Sequence, residues 1–118
     1  MSADQGQAMG QYNLGSMYDH GIGVSQDYKE AVKWYRMSAD QGEALAQYNL
    51  GVLYYNATGV PQDYKEAYAW WSVAKGNGHE RSETNLGLVT QKMTKEQIAD
   101  AKSLATEIHN RVEANKKD

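Results

Sequence analysis

The chain has 118 residues, 41% hydrophobic and 23% charged, which is enough apolar material for a core and too much for a disordered tail. Fifteen acidic against twelve basic side chains give a net charge of -3 without any basic stripe, which excludes the electrostatic footprint of a nucleic-acid binder. Cys 0 excludes disulfides, thiolate nucleophiles and cysteine-ligated metal centres, and apolar runs such as Ala67 to Trp71 are too short to span a bilayer or to form a signal core after Met1.

One Pro, eleven Gly, few β-branched residues and no sustained apolar/polar alternation predict an all-α protein with glycine-marked joints. The first five residues of interest, Ser2-Ala3-Asp4-Gln5-Gly6, recur 36 positions later as Ser38-Ala39-Asp40-Gln41-Gly42. At the same offset Tyr12-Asn13-Leu14-Gly15 falls on Tyr48-Asn49-Leu50-Gly51, and Gln26 to Ala31 on Gln62 to Ala67, so that 21 of 36 paired positions between Ser2 and Val73 are identical. Asn85-Leu86-Gly87 starts a third copy. Repeats of this length predict a solenoid of helix pairs.

In each unit the first helix is expected from about Ala8 to His20 and from about Ala44 to Asn56. A loop containing Gly23-Val24 or Gly59-Val60-Pro61 follows, and the second helix starts at Asp27 or Asp63. There an Asp with Glu three residues on predicts a capping box, and Gly42 and Gly78 stand where a left-handed residue closes a helix. Ala44, Gln47, Leu50, Gly51 and Tyr54 share one face of the first helix, repeated by Ala8, Gln11, Leu14, Gly15 and Tyr18. A mid-helix Gly costs about 1 kcal/mol, so Gly15, Gly51 and Gly87 predict a close neighbour, with Ala31 and Trp34, or Ala67 and Trp70, supplying it from the second helix. Gly51→Leu is expected to overpack this contact. After Gly87 the third copy fades, and Thr94 with Gln97 forms a capping box opening a helix with an apolar stripe of Ile98, Ala101, Leu104, Ala105, Ile108 and Val112. Glu96, Asp100, Ser103, Glu107, Asn110 and Arg111 form its wet face.

These residues resemble the Sel1-like repeat family, relatives of the tetratricopeptide repeat. The pattern is met by Ala8, Leu14-Gly15, Tyr18, Gly21-Ile22-Gly23-Val24, Asp27-Tyr28, Ala31, Trp34, and Ala39 to Gly42. The second copy departs at Ala57, where the first loop glycine is replaced, and carries Pro61. Met93 to Gln97 is similar to the start of the closing helix of many such chains. The resemblance implies a right-handed α-α superhelix of helical hairpins with a C-terminal capping helix, acting as a non-catalytic scaffold that binds a protein or peptide, most often in bacteria. The expected division is the end of a preceding repeat over 1–6, repeats over 7–42 and 43–78, a partial repeat over 79–93 and a capping helix over 94–115. A chain opening in mid-unit is expected to be cut from a longer protein, and the exposed face around Met1, Met9 and Tyr12 is a candidate for self-association. No compartment follows from the sequence.

In such a superhelix the first helices line the concave side. Helical angle puts Tyr12, Ser16, Asp19 and His20, then Tyr48, Val52, Tyr55 and Asn56, then Arg81 and Thr84 on that side, beside Met9, Leu45 and Leu88. Rigid rings with flanking polar groups suit a protein or peptide partner, although Tyr12 and Tyr48 are equally placed to pack between hairpins. Ser72-Val73-Ala74-Lys75 fits the Ser-x-x-Lys nucleophile motif, which opens the alternative of a β-lactam-interacting or hydrolytic enzyme, but neither Lys-Thr-Gly nor Ser-Asp-Asn accompanies it. Cysteine-rich relatives have been described as penicillin-binding, and this chain is unlike them. His20, His79 and His109 are scattered without ligand spacing, so no metal or cofactor is expected. Asn56-Ala57-Thr58 has the form of a glycosylation sequon and is discounted. A further alternative is a structural spacer inside a larger scaffold.

Overall fold

The computed structural model describes residues 2–116, and among them six helices and no strand. They are α1 (Ser2–His20), α2 (Tyr28–Asp40), α3 (Ala44–Asn56), α4 (Tyr64–Gly76), α5 (Arg81–Thr90) and α6 (Lys95–Asn115). Helices α1 and α2 pair as one hairpin and α3 and α4 as a second, while α2 packs on α3 and α4 on α5, so the chain is an all-α solenoid. Its shortest extent, 21 Å, is that of two helix layers, given a diameter of about 10 Å for each.

Local chemistry sets most of the boundaries. Asp27 accepts from the backbone N–H groups of Lys29 and Glu30, and Asp63 from those of Lys65 and Glu66, which satisfies donors that the first helical turn leaves unpaired. The expected return half of these capping boxes does not form, because the N–H groups of Asp27 and Asp63 are taken by the carbonyls of Tyr18 and Tyr54 at 2.9 and 3.1 Å. Those two bonds tie each second helix back onto its first. The box at Thr94 is complete, with Gln97 N–H on Thr94 Oγ1 and Gln97 Oε1 on the Thr94 N–H. Beyond α2 and α4, Gly42 and Gly78 adopt φ of 98° and 97°, which turns the chain into the next unit.

The pentapeptide Ser-Ala-Asp-Gln-Gly occurs in two conformations. At Ser38 to Gly42 it closes α2 and turns, whereas the copy at Ser2 to Gly6, expected to close a preceding helix, forms the opening turns of α1 without a left-handed glycine. At Ser38 to Gly42 the turn is held by tertiary contacts. Ser38 Oγ donates to the Ala8 carbonyl at 2.6 Å, Gln41 Nε2 to Gln11 Oε1 at 2.6 Å and Gln47 Nε2 to the Ala39 carbonyl at 3.0 Å.

The core runs through the hairpins from Ala31 and Tyr35 to Leu50, Trp70, Trp71 and Val89. The neighbours of the mid-helix glycines are Tyr35 and Trp71, one residue beyond the expected Trp34 and Trp70. A Cβ on Gly15 would lie 2.6 Å from Cδ1 of Tyr35, and one on Gly51 would lie 2.6 Å from Cδ1 of Trp71. At Gly87 the expected close approach is missing, with nothing within 4 Å.

The reason is the course of α6. As expected it covers the last complete hairpin, lying along α4 and reaching α2 at its far end, and it is not the hairpin partner of α5. Helix α5 turns exposed Glu83 and Gly87 to the side where a partner would sit, whereas α4 offers Ala69, Trp70 and Val73 for burial. Ala101, Ile108 and Val112 of the predicted stripe are fully covered there, and Ile98, Leu104 and Ala105 are half-buried. The far end is held by Arg111 on Asp40 Oδ1 at 2.9 Å and by Asn115 Nδ2 on the Asp40 carbonyl at 2.9 Å.

Candidate protein-interaction surface

The side formed by α1, α3 and α5 has an aromatic floor that the glycines make possible. Because Gly15 carries no side chain, the ring of Tyr35 passes α1, and its hydroxyl donates to Asp19 Oδ2 at 3.0 Å. Burial, with the Asp19 carboxylate beside it, raises the Tyr35 hydroxyl far above the ordinary tyrosine range, so it stays a donor. Trp71 passes Gly51 in the same way, and its indole N–H donates to the Tyr48 carbonyl at 3.0 Å.

On this floor lie the rings of the first helices. Tyr12 is tilted on Tyr35 with centroids 5.7 Å apart, and Tyr55 contacts both Trp71 and Tyr64 at 5.6 and 5.5 Å. Tyr48 stacks on His79 at 4.3 Å, where the ring Nδ1 of His79 shares a hydrogen bond with Ser82 Oγ at 3.2 Å. Burial holds the His79 pKa below its ordinary value and the Arg81 guanidinium adds to this, which favours the neutral ring for stacking.

The sequence-predicted residues separate into two groups. Tyr12, Tyr48, Val52 and Tyr55 are half-buried and pack against the core, Tyr12 on Tyr35 within its own hairpin and Tyr48 on His79 at the start of the next unit. Asp19 is engaged internally by Tyr35, and Ser16 is half-buried. His20, Asn56, Arg81 and Thr84 stand exposed, in line with Met9, Leu45 and Leu88. Asn13, Asn49 and Asn85, which sequence reasoning did not single out, lie at the edge of the same stripe, where Asn13 is exposed and half-buried Asn49 acts by hydrogen bond on the Tyr35 hydroxyl. The signal was in the sequence, since they stand 36 residues apart in each copy of the Asn-Leu-Gly motif. A primary amide offers both donor and acceptor, which suits a peptide main chain.

Of the face named for self-association, Met1 lies outside the described residues, Met9 is exposed and Tyr12 is occupied by Tyr35. The Ser-x-x-Lys pair diverges. Ser72 lines a shallow groove between α4 and α6 with Thr106 and His109, while Lys75 pairs with Glu83 of α5 at 3.6 Å. Among the described residues no group of three His, Asp or Glu side chains is placed to hold a metal ion, and no helix is long and apolar enough to cross a membrane.

Comparison with known proteins agrees with this architecture. The chain is similar to the crystal structure of a protective antigen of uropathogenic Escherichia coli displaying an SLR fold, with TM-score 0.89 and 32% identity over 97% of this chain and 25% of that one. It is also similar to a Sel1 repeat protein from Oxalobacter formigenes, with TM-score 0.68 and 42% identity over 73% of this chain and 35% of that one. The chain thus spans between a quarter and about a third of the length of these structures. No curated protein matches it. The Sel1 repeat model matches residues 8–43 and 44–79, one residue later than the boundaries read from the sequence. With two such repeats covering more than half of its length, the chain belongs to the Sel1 repeat family.

Proposed function

We propose that the chain is a non-catalytic scaffold that binds a protein or peptide segment along the side lined by α1, α3 and α5. Sel1 repeat proteins are typically protein-interaction scaffolds, which supports the general reading. The observation that carries the specific one is the aromatic floor of Tyr35 and Trp71, brought through Gly15 and Gly51 and overlaid by Tyr12, Tyr48 and Tyr55. A rigid floor loses little side-chain entropy on binding, and exposed Asn13, His20, Asn56, Arg81 and Thr84 add polar groups above it.

Selection from a random peptide library tests this reading. Asn56→Arg and Thr84→Arg change exposed positions and leave the floor intact, unlike Tyr55→Ala, which would remove a packed ring. Selected peptides are expected to bind wild type and to lose affinity for both variants. Equal binding to all three proteins would remove this side from the proposal.

A further inference from the structure

The 36-residue register shows how charge is distributed along the side lined by α1, α3 and α5. Met9 on α1, Leu45 on α3 and Arg81 on α5 hold the same register position, and all three are exposed. A pair of apolar side chains thus stands in line with a cation. Asp19 is the one carboxylate of the stripe, and it is taken by the Tyr35 hydroxyl. Glu80 and Glu83 hold the register positions of Ala44 and Gln47, off the stripe, and Glu83 pairs with Lys75 of α4 at 3.6 Å. Among the described residues no carboxylate pairs with Arg81.

Arg81 has a second donor beside it. The half-buried ring of His79 stacks on Tyr48, one helical turn beyond Leu45, with centroids 4.3 Å apart. The fully buried Ser82 hydroxyl bonds to His79 Nδ1 at 3.2 Å and to no other described group. A buried hydroxyl proton left unpaired is costly, so the Ser82 O–H donates to Nδ1 and the proton of the neutral ring sits on Nε2. No described residue accepts from that Nε2–H. Of the charged groups around the ring, Lys75 and Glu83 engage each other, and Arg81 acts on it, adding to the burial that holds its pKa below the ordinary histidine value. This end of the stripe therefore offers the donors of Arg81 and His79 with no carboxylate of the chain between them.

We propose that His79 and Arg81 form a subsite for an acidic side chain of the bound segment, whose neighbouring apolar side chains rest on Leu45 and Met9. This rests on the binding side proposed above and names the chemistry of its partner. The guanidinium fork and the Nε2–H donate to one carboxylate, which is the charge-assisted pairing that gives a polar contact both strength and direction. Helices are about 10 Å across and an extended chain advances about 3.3 Å per residue, so the side chains that reach Arg81, Leu45 and Met9 stand about three residues apart. The partner segment is an extended one with Asp or Glu and apolar residues about three and six positions from it. A basic residue in place of the acid meets Arg81 and is rejected, which fixes the register of the segment.

Random nonapeptides displayed on phage are selected in parallel on the full wild-type chain and on Arg81→Glu, a substitution at an exposed position. Peptides selected on wild type are expected to share an acid near an apolar residue, and those selected on Arg81→Glu to carry Lys or Arg in its place. A wild-type binder is expected to bind Arg81→Gln about ten-fold more weakly, and an analogue with asparagine or glutamine for its acid to lose about as much on wild type. The analogue is expected to bind wild type and Arg81→Gln alike, because the two changes remove the same pairing. By NMR the His79 ring is expected to titrate at higher pH in the complex with the acidic peptide than with the analogue, since a carboxylate favours the imidazolium. Peptides that lose affinity for Asn56→Arg and Thr84→Arg, yet share no acid or bind Arg81→Gln as tightly as wild type, overturn the acidic subsite and leave the binding side standing. An equal His79 titration in the two complexes does the same. Peptides indifferent to Asn56→Arg, Thr84→Arg and Arg81→Gln, or a library without a binder, overturn both.

Discussion

The same substitution at two equivalent glycines is expected to act in opposite directions. Gly51→Ala puts a methyl group 2.6 Å from Cδ1 and 2.9 Å from Cε2 of Trp71, whose ring is 2% exposed and cannot swing into solvent. The indole must move by most of an ångström, which strains the core by about 1–3 kcal/mol. Its 3.0 Å hydrogen bond to the Tyr48 carbonyl is lost or weakened, at a cost of about 1 kcal/mol. Alanine in a helix interior recovers about 1 kcal/mol, so the net destabilisation is about 2 kcal/mol. At Gly87 no atom stands within 4 Å, and Gly87→Ala leaves only the helical gain of about 1 kcal/mol. Urea denaturation followed by tryptophan fluorescence and by circular dichroism reads both, and agreement of the two probes licenses a single free energy. A lower midpoint for Gly51→Ala and a higher one for Gly87→Ala are expected. If Gly51→Ala proves neutral or stabilising, or if Gly87→Ala is destabilising, the account of the aromatic floor is wrong.

Other expectations concern local backbone and charge. Ala57 is the one non-glycine residue with positive φ among those described, at 57°, where the first unit has Gly21 at 67°. Ala57→Gly is therefore expected to raise the urea midpoint, by about 0.5–1 kcal/mol after the entropy cost of glycine is offset against the relieved strain. Asp63→Ala removes the acceptor for the Lys65 and Glu66 N–H groups and should lower stability by about 1 kcal/mol in the same assay. Burial raises the Glu66 pKa above the ordinary carboxylate value, an effect that the neighbouring Arg36 opposes. A carboxyl whose folded pKa lies above its unfolded one holds its proton more tightly in the native state. Glu66 thus makes native stability fall as pH rises from the ordinary carboxylate range through the raised value. Glu66→Gln keeps an acceptor for Trp70 and should flatten that part of a plot of urea midpoint against pH, and an unchanged slope would refute the assignment.

How far the sequence could be read depends on the kind of signal each element carries. The hairpins were legible because Asp caps, glycine stops and the 36-residue offset act within one unit. The exchange of Trp34 and Trp70 for Tyr35 and Trp71 in the glycine slots was not, since neighbouring positions on a helix differ by 100° and only the angle between paired helices selects the one that fits. The incomplete boxes at Asp27 and Asp63 have the same origin, because the carbonyls that take their N–H groups come from the preceding helix. On the candidate surface the exposed positions His20, Asn56, Arg81 and Thr84 followed from angle alone. The internal use of Asp19 did not, because its partner Tyr35 arrives through a gap in a different helix.

The sequence by itself determined that the chain is a stack of helical hairpins, since repetition, capping and periodicity are properties of short segments that recur. Only the tertiary structure decided what those segments do in each copy. One pentapeptide turns at Ser38 to Gly42 and stays helical at Ser2 to Gly6, and one Asn-Leu-Gly motif grips a ring at Gly51 and faces open space at Gly87. The course of α6 over α4 toward α2 is likewise a tertiary matter, with Ala101, Ile108 and Val112 buried and Arg111 and Asn115 bonded to Asp40. Local propensity is the same for identical segments, so burial and hydrogen bonding with distant neighbours decide between their conformations.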